Sequence, residues 1–216
     1  MSKILCFDTA LAKLYVSIFE NNSLISSKIV PSNDTHYHTA YLIKIIADML
    51  KDNNLKMTDI NLLGVNRGPG SFTGIRAGLT IANVISKQLN IKVISSNSLE
   101  IISSIGNKDK KILVALDARR NKAYVGIYNN MEEILPPSLY DIENITPLVD
   151  ENTIIISDNN LKDYFPDALS YEDNYDLLND SLAFITYHKY IHKIPSNNLE
   201  PLYLTQPYIS QAKKKC

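Results

Sequence analysis

Cysteine is almost missing from this chain: among 216 residues only Cys6 and Cys216 carry thiols. Cys6 sits in an apolar segment and Cys216 is the last residue. A buried thiol and a tail thiol are therefore expected rather than a disulfide, which fits a reducing compartment and excludes a disulfide-stapled scaffold. An excess of one charge sign is also lacking. The 22 Lys and Arg against 23 Asp and Glu leave a formal net charge of −1, which excludes the strongly basic make-up of an autonomous nucleic-acid binder. The basic run Lys213-Lys214-Lys215 reads as a solvated tail. No apolar run approaches the length of a membrane span, and no charged-then-apolar leader precedes Ile4. A cytoplasmic location, without signal peptide or membrane contact, is expected from these two absences. What is present, 45% hydrophobic and 21% charged residues, suffices for a buried core, as one large domain or two small lobes.

Glycine is scarce too, seven in all, yet Gly68, Gly70, Gly74 and Gly78 fall within residues 66–78, Asn-Arg-Gly-Pro-Gly-Ser-Phe-Thr-Gly-Ile-Arg-Ala-Gly. The apolar segment Ile60–Val65 before it reads as a buried strand, and Thr73–Leu89 after it as a helix. Glycine lets a backbone take φ > 0 or lets another group approach closely. Ser71 or Thr73 can cap the helix, whose free N–H groups suit an anion. From the residues alone two readings stay open, a tight structural turn and an anion site. Two phosphate motifs are excluded. Gly74 precedes Ile75 rather than Lys, so this is no P-loop. Gly68-Pro69-Gly70 lacks the third glycine of the dinucleotide fingerprint.

The remaining pattern is mixed α/β. Lys3–Asp8, Tyr15–Phe19 and Leu24–Val30 read as strands separated by short polar turns. Thr39–Lys51 is predicted helical, with Leu42, Ile45, Ile46, Met49 and Leu50 at i, i+3, i+4, i+7 and i+8. Ile91–Ile94 is a further strand. A second set follows, with a hairpin-like pair Ile112–Leu116 and Tyr124–Tyr128, a strand Thr153–Ile156 and a helix Leu178–Ile194. This set partly echoes the first.

The string at 66–78 resembles the signature of the bacterial TsaB (YeaZ) family, small subunits of the machinery that makes threonylcarbamoyladenosine in tRNA. The resemblance continues in Ile4-Leu5-Cys6-Phe7-Asp8-Thr9, His38-Thr39-Ala40-Tyr41-Leu42, Asp117-Ala118-Arg119-Arg120-Asn121-Lys122-Ala123-Tyr124 and Pro201-Leu202-Tyr203-Leu204. It is strongest from Met1 to Tyr128 and weak between Asn129 and Leu199. It implies the actin/Hsp70/sugar-kinase (ASKHA) superfold, two RNase H-like lobes each with a mixed sheet flanked by helices. The expected division is 1–98 for an N-terminal lobe with partner-binding helices and 99–216 for a smaller, degenerate C-terminal lobe.

Candidate chemistry is sparse. In the superfold an Asp ending the first strand helps hold a metal–nucleotide phosphate, and a following glycine turn wraps the phosphates. Asp8-Thr9-Ala10 keeps the acid and lacks the glycine, so Asp8 and Thr9 are expected to mark a vestigial nucleotide site, or simply a turn capped by Asp8. Gly68, Gly70, Ser71, Thr73 and Gly74 are expected to form a structural turn. His36 and His38 fall at a helix start and diverge there. His188 and His192, at i and i+4, enclose no Glu, so the pair reads as a helix face. The catalytic sister family, TsaD, carries a His-Leu-Glu-x-His metal motif after its own glycine turn. The matching positions here are Ser98-Leu99-Glu100-Ile101-Ile102, and Ile cannot ligate a metal. The expectation is therefore no catalytic residue, no metal and no cofactor of the chain's own, with ATP and metal in partner subunits.

Both predicted N-terminal helices carry apolar residues beyond one stripe: Ile43 on the first, Ile81 and Val84 on the second, with Gly78 allowing close helix contact. A wide core face and a second contact surface both explain this. The resemblance implies the second. Through these helices the chain would pair with a TsaD-type transferase, or with a second copy of itself, while a TsaE-type ATPase joins the assembly and tRNA is met indirectly. The implied function is a non-catalytic scaffold for threonylcarbamoyl transfer to a tRNA adenosine. The alternatives are a stand-alone ATPase or phosphotransferase of the sugar-kinase superfold and, more weakly, a metallopeptidase.

Overall fold

The structure, a computed structural model, describes residues 3–21, 23–31, 38–194 and 199–205. Its first half builds strands β1 (Lys3–Asp8), β2 (Lys13–Glu20) and β3 (Ser23–Pro31), helix α1 (His38–Asp52), β4 (Leu62–Asn66), α2 (Phe72–Leu89) and β5 (Lys92–Ser96). A short helix α3 (Ser98–Ser103) leads into β6 (Lys111–Arg119), β7 (Lys122–Asn129), β8 (Glu132–Asp141), β9 (Thr153–Ser157), β10 (Leu169–Ser170) and helix α4 (Tyr175–Ile191). The two sheets have the orders β3-β2-β1-β4-β5 and β10-β9-β6-β7-β8. Read from β8, the second order repeats the first, strand for strand. In both, the first three strands run antiparallel and the next joins the opening strand in parallel. The echo between the halves is thus a duplicated five-stranded unit.

Strand parity sets the layers. Leu5 and Phe7 of β1, with Val16 and Ile18 of β2, face α1 and α2 in one core. Ile4 and Cys6, with Tyr15 and Phe19, face the opposite way, into a second core shared with α3, α4 and Ile112, Val114 and Leu116 of β6. Side chains alternate sides along a strand, so each of these strands feeds two cores. Leu113, Ala115 and Val125 line the far side of the second sheet under Ile142, Ile145, Leu161 and Phe165. Helices α3 and α4 therefore lie between the sheets. Helix α4, although late in the chain, packs on β1, β2, β4 and β5 of the first sheet, while α3 contacts β6 and β7 of the second.

The predicted elements of the first half agree with these bounds within a few residues. Three features differ. The short α3 spans too few turns to show a helical period. Strand β8 carries Pro136-Pro137, which speaks against a strand, yet it is an edge strand, where the missing N–H groups cost little, and its register on β7 shifts there. Helix α4 starts at Tyr175 and ends at Ile191, three residues before each end predicted for Leu178–Ile194. Cys6 is fully buried, and desolvation pushes its thiol up to about 12. Cys216, Lys213-Lys214-Lys215 and His36 lie outside the described residues. Among the described residues no helix is long and apolar enough to cross a membrane.

Candidate functional site

The glycine turn and the end of β1 meet at one place, and a polar network explains why. Asp8, fully buried, ends β1. Its Oδ1 accepts from the backbone N–H of Ala10 at 2.6 Å and its Oδ2 from the Asn66 amide at 2.7 Å. Asn66 ends the parallel neighbour β4. Its second amide proton goes to Ser98 Oγ at 2.9 Å, and its Oδ1 accepts from Gly68 N at 2.9 Å. The Ser98 hydroxyl donates to the Pro69 carbonyl at 2.6 Å, and Ser98 N donates to the Gly68 carbonyl at 2.9 Å. One side chain from each of β1, β4 and α3 thus holds the turn, and their polar groups are used on the chain itself.

The turn in turn closes over residues 8–10. Thr9 Oγ1 donates to the Gly74 carbonyl at 2.6 Å, and Ser71 N donates to the Ala10 carbonyl at 2.8 Å. Ser71 caps α2, its Oγ accepting from Gly74 N at 3.2 Å. Of the two capping candidates Ser71 takes the role, and Thr73 stands inside the first helical turn. Gly68 has φ of +95°, a conformation costly for any residue with a Cβ. At Gly70 a Cβ would collide with the Ala10 carbonyl, and at Gly74 with the Thr9 carbonyl. The backbone of residues 9–10 therefore packs directly against this turn.

Burial raises the Asp8 carboxyl from 3.8 to about 6, against the hydrogen bonds from Asn66, Ala10 and Leu11, which pull it down. The Tyr15 hydroxyl, fully buried beside Asp8, pulls its carboxyl in the same direction as these hydrogen bonds. A carboxyl raised in the folded state binds its proton more tightly there than in the unfolded chain. The stability it contributes is full below about pH 4 and is lost as pH rises through about 6. The unfolding free energy of wild type relative to Asp8→Asn should therefore fall by roughly 2–3 kcal/mol between pH 4 and pH 8. Any fixed cost of placing the Asn amide opposite Asn66 cancels in that comparison. Denaturant melts at both pH values test this, and a constant difference would refute it.

The metal-motif positions are occupied otherwise. Ser98 is committed to Asn66 and Pro69. Ile102 is fully buried among apolar residues. Glu100 pairs with Lys189 of α4 at 2.7 Å, both groups largely shielded, and Lys189 Nζ also donates to Ser96 Oγ at 3.0 Å. These residues do not fit a metal centre. Among the described residues no group of three or more His, Cys, Asp and Glu side chains is placed to hold one. The His188 and His192 rings lie tilted against each other with centroids 4.3 Å apart, and His192 Nδ1 lies 3.0 Å from the His188 carbonyl, a contact internal to the end of α4.

The proposed partner helices divide. Ile43 and Val84 are exposed, at 56% and 55%. Ile81 is not, at 6%: it joins Leu42, Ile45 and Leu79 in the α1–α2 core, so its expected place on an exposed patch is corrected. Gly78 is corrected as well. It is buried, and a Cβ there would meet Thr9 Oγ1 at 2.5 Å and Val65, so its smallness admits the β1 turn rather than another helix.

Sequence reasoning missed Asn66 as the hub of the network, although a polar residue ending an apolar strand was the available signal. It also missed how the segment after α4 is used. Leu202 N donates to the Arg67 carbonyl at 2.8 Å, Tyr203 stacks on Phe72 with centroids 5.0 Å apart, and the Tyr124 hydroxyl lies 2.9 Å from Thr205 Oγ1. Residues 199–205 thereby run as a strap from the glycine turn to the second sheet.

Two duplicated β3-β2-β1-β4-β5 units with helices between and outside them define a protein of the actin/Hsp70/sugar-kinase class. A solved Pseudomonas aeruginosa protein described as similar to peptidase YEAZ superposes with a TM-score of 0.75 at 18% identity, covering 95% of this chain and 100% of its own. The family model described as "TsaD: tRNA N6-adenosine threonylcarbamoyltransferase" matches residues 19–159. Two proteins named "tRNA threonylcarbamoyladenosine biosynthesis protein TsaB" align with the chain. The one from Buchnera aphidicola subsp. Baizongia pistaciae is 31% identical over 57% of this chain and 57% of its own length. The one from Bacillus subtilis is 29% identical over 62% and 59%. The alignments thus span less than two thirds of these relatives. The chain belongs to this family, in its TsaB (YeaZ) branch.

Proposed function

We propose that the chain serves tRNA threonylcarbamoyladenosine formation as a non-catalytic, cytoplasmic subunit. It pairs through α1 and α2 with a TsaD-type transferase, which carries the metal, and a TsaE-type ATPase joins the pair. The observation that carries this reading is the fate of the motif positions: Ser98 is bound to Asn66 and Pro69, and Ile102 lies in the core. The close-packed turn at Asp8-Thr9-Ala10 supports it against a stand-alone ATPase, since Gly70 and Gly74 leave no gap beside the Ala10 and Thr9 carbonyls. The test is reconstitution of tRNA modification from purified subunits, with and without this chain, together with elemental analysis and ATP turnover of the chain alone. The expected result is modification that requires the chain, with no stoichiometric metal and no turnover in isolation. Modification at full rate without it, or single-chain turnover lost in Asp8→Ala, overturns the reading.

A further inference from the structure

Helix α2 presents Phe72, Arg76, Thr80 and Val84 at every fourth position, all exposed. Such an i±4 row is a ridge of the kind that packs into the groove of a facing helix. Its N-terminal end is not a bare side chain. The Arg76 guanidinium lies 4.6 Å over the Phe72 ring, and Tyr203 of the strap stacks on that ring at 28° between planes. Phe72 and Tyr203 remain 38% and 40% exposed. The strap around Tyr203 is fixed independently of the ridge: Leu202 N is held by the Arg67 carbonyl, Thr205 by the Tyr124 hydroxyl, and Leu199 packs on the α1–α2 core. The Tyr203 ring is thus an aromatic group already ordered before any contact forms, and ordering is part of what association otherwise costs. Tyr and Arg side chains set in this way are the residue types that dominate binding energy at interfaces.

We propose that Tyr203 extends the α2 partner surface, so that one facing chain covers the ridge and the strap together. This rests on the pairing reading above. The occupant is a paralogue of the same family. One family model describes this chain and the transferase, so the transferase carries the corresponding strand–turn–helix and can set its own ridge against this one in a near-two-fold arrangement.

The experiment titrates the full-length chain with the TsaD-type subunit encoded in the same genome. Tyr203→Ala should weaken pairing at least tenfold, and Tyr203→Phe should pair as wild type does. Tyr124→Phe, which frees Thr205 away from the ridge, should also pair normally. If Tyr124→Phe weakens pairing as much as Tyr203→Ala, the strap acts only by holding the fold and the proposal fails. If Val84→Glu abolishes pairing while Tyr203→Ala does not alter it, the proposal fails and the pairing reading stands. If neither matters, both fail. Loss of self-association alone in Tyr203→Ala, with transferase pairing intact, would assign the surface to a second copy and overturn the choice of occupant. The chain has no Trp, so Tyr203→Trp gives a single reporter that does not depend on a loss of stability. Its emission should shift to the blue on saturation with the transferase, and unchanged emission would refute burial of this position.

Discussion

Gly74→Ala is expected to lower the melting temperature by roughly 5–10 °C, corresponding to a loss of about 2–4 kcal/mol. In an ordinary helix the same change stabilises, by about 1 kcal/mol. The sign reverses here because the added methyl would occupy the place of the Thr9 carbonyl oxygen. That oxygen belongs to the backbone and cannot rotate aside as a side chain would. Thr9 is moreover tied to the same helical turn through its hydroxyl bond to the Gly74 carbonyl. Moving the helix away to make room breaks that bond and the Ser71–Ala10 bond with it. Thr80→Ala, an exposed position two turns along α2, is the control and should be neutral or slightly stabilising. A melting temperature unchanged in Gly74→Ala would show that the turn does not press on β1 as described.

The glycine turn was legible because four glycines in a strand-to-helix segment are hard to place otherwise, and because the string is specific. Which glycine does what was not legible. Positive φ falls at Gly68 and Gly70, and Gly70 and Gly74 are also required by close approach of carbonyls some sixty residues earlier in the chain. The strands of the first half were readable from apolar runs. That β1 and β2 each serve two cores follows only once α4 returns from the end of the chain to cover their second face. Ile81 shows the same limit on a helix. Its periodicity places it beside the main stripe, and only the neighbouring α1 decides that this side is inside. At Ser98 and Ile102 the residue types alone spoke against a metal, but the partners that claim them, Asn66, Pro69 and the shared core, are supplied by the fold.

Val84→Glu should abolish pairing with the transferase-type subunit and leave the chain folded, while Ile81→Glu should unfold it. The two positions are three residues apart on α2, less than one helical turn. Val84 is 55% exposed, so a carboxylate there stays hydrated in the free chain and changes stability by about 0.5 kcal/mol or less. Covered by a facing helix, the same carboxylate is an unpaired ion in a dry contact, and the loss of several kcal/mol is more than a hundredfold in affinity. Ile81 is 6% exposed against Leu42, Ile45 and Leu79. A carboxylate there is desolvated in the free chain itself, and a cost of roughly 3–5 kcal/mol is a large part of the 5–15 kcal/mol that holds a typical domain. Ile43→Glu, at 56% exposure on α1, should behave as Val84→Glu does. Circular dichroism melts with pull-down by the transferase separate the outcomes. If Val84→Glu and Ile43→Glu both melt normally and pair normally, the partner surface lies elsewhere. If Ile81→Glu melts as wild type does, α1 and α2 do not enclose it.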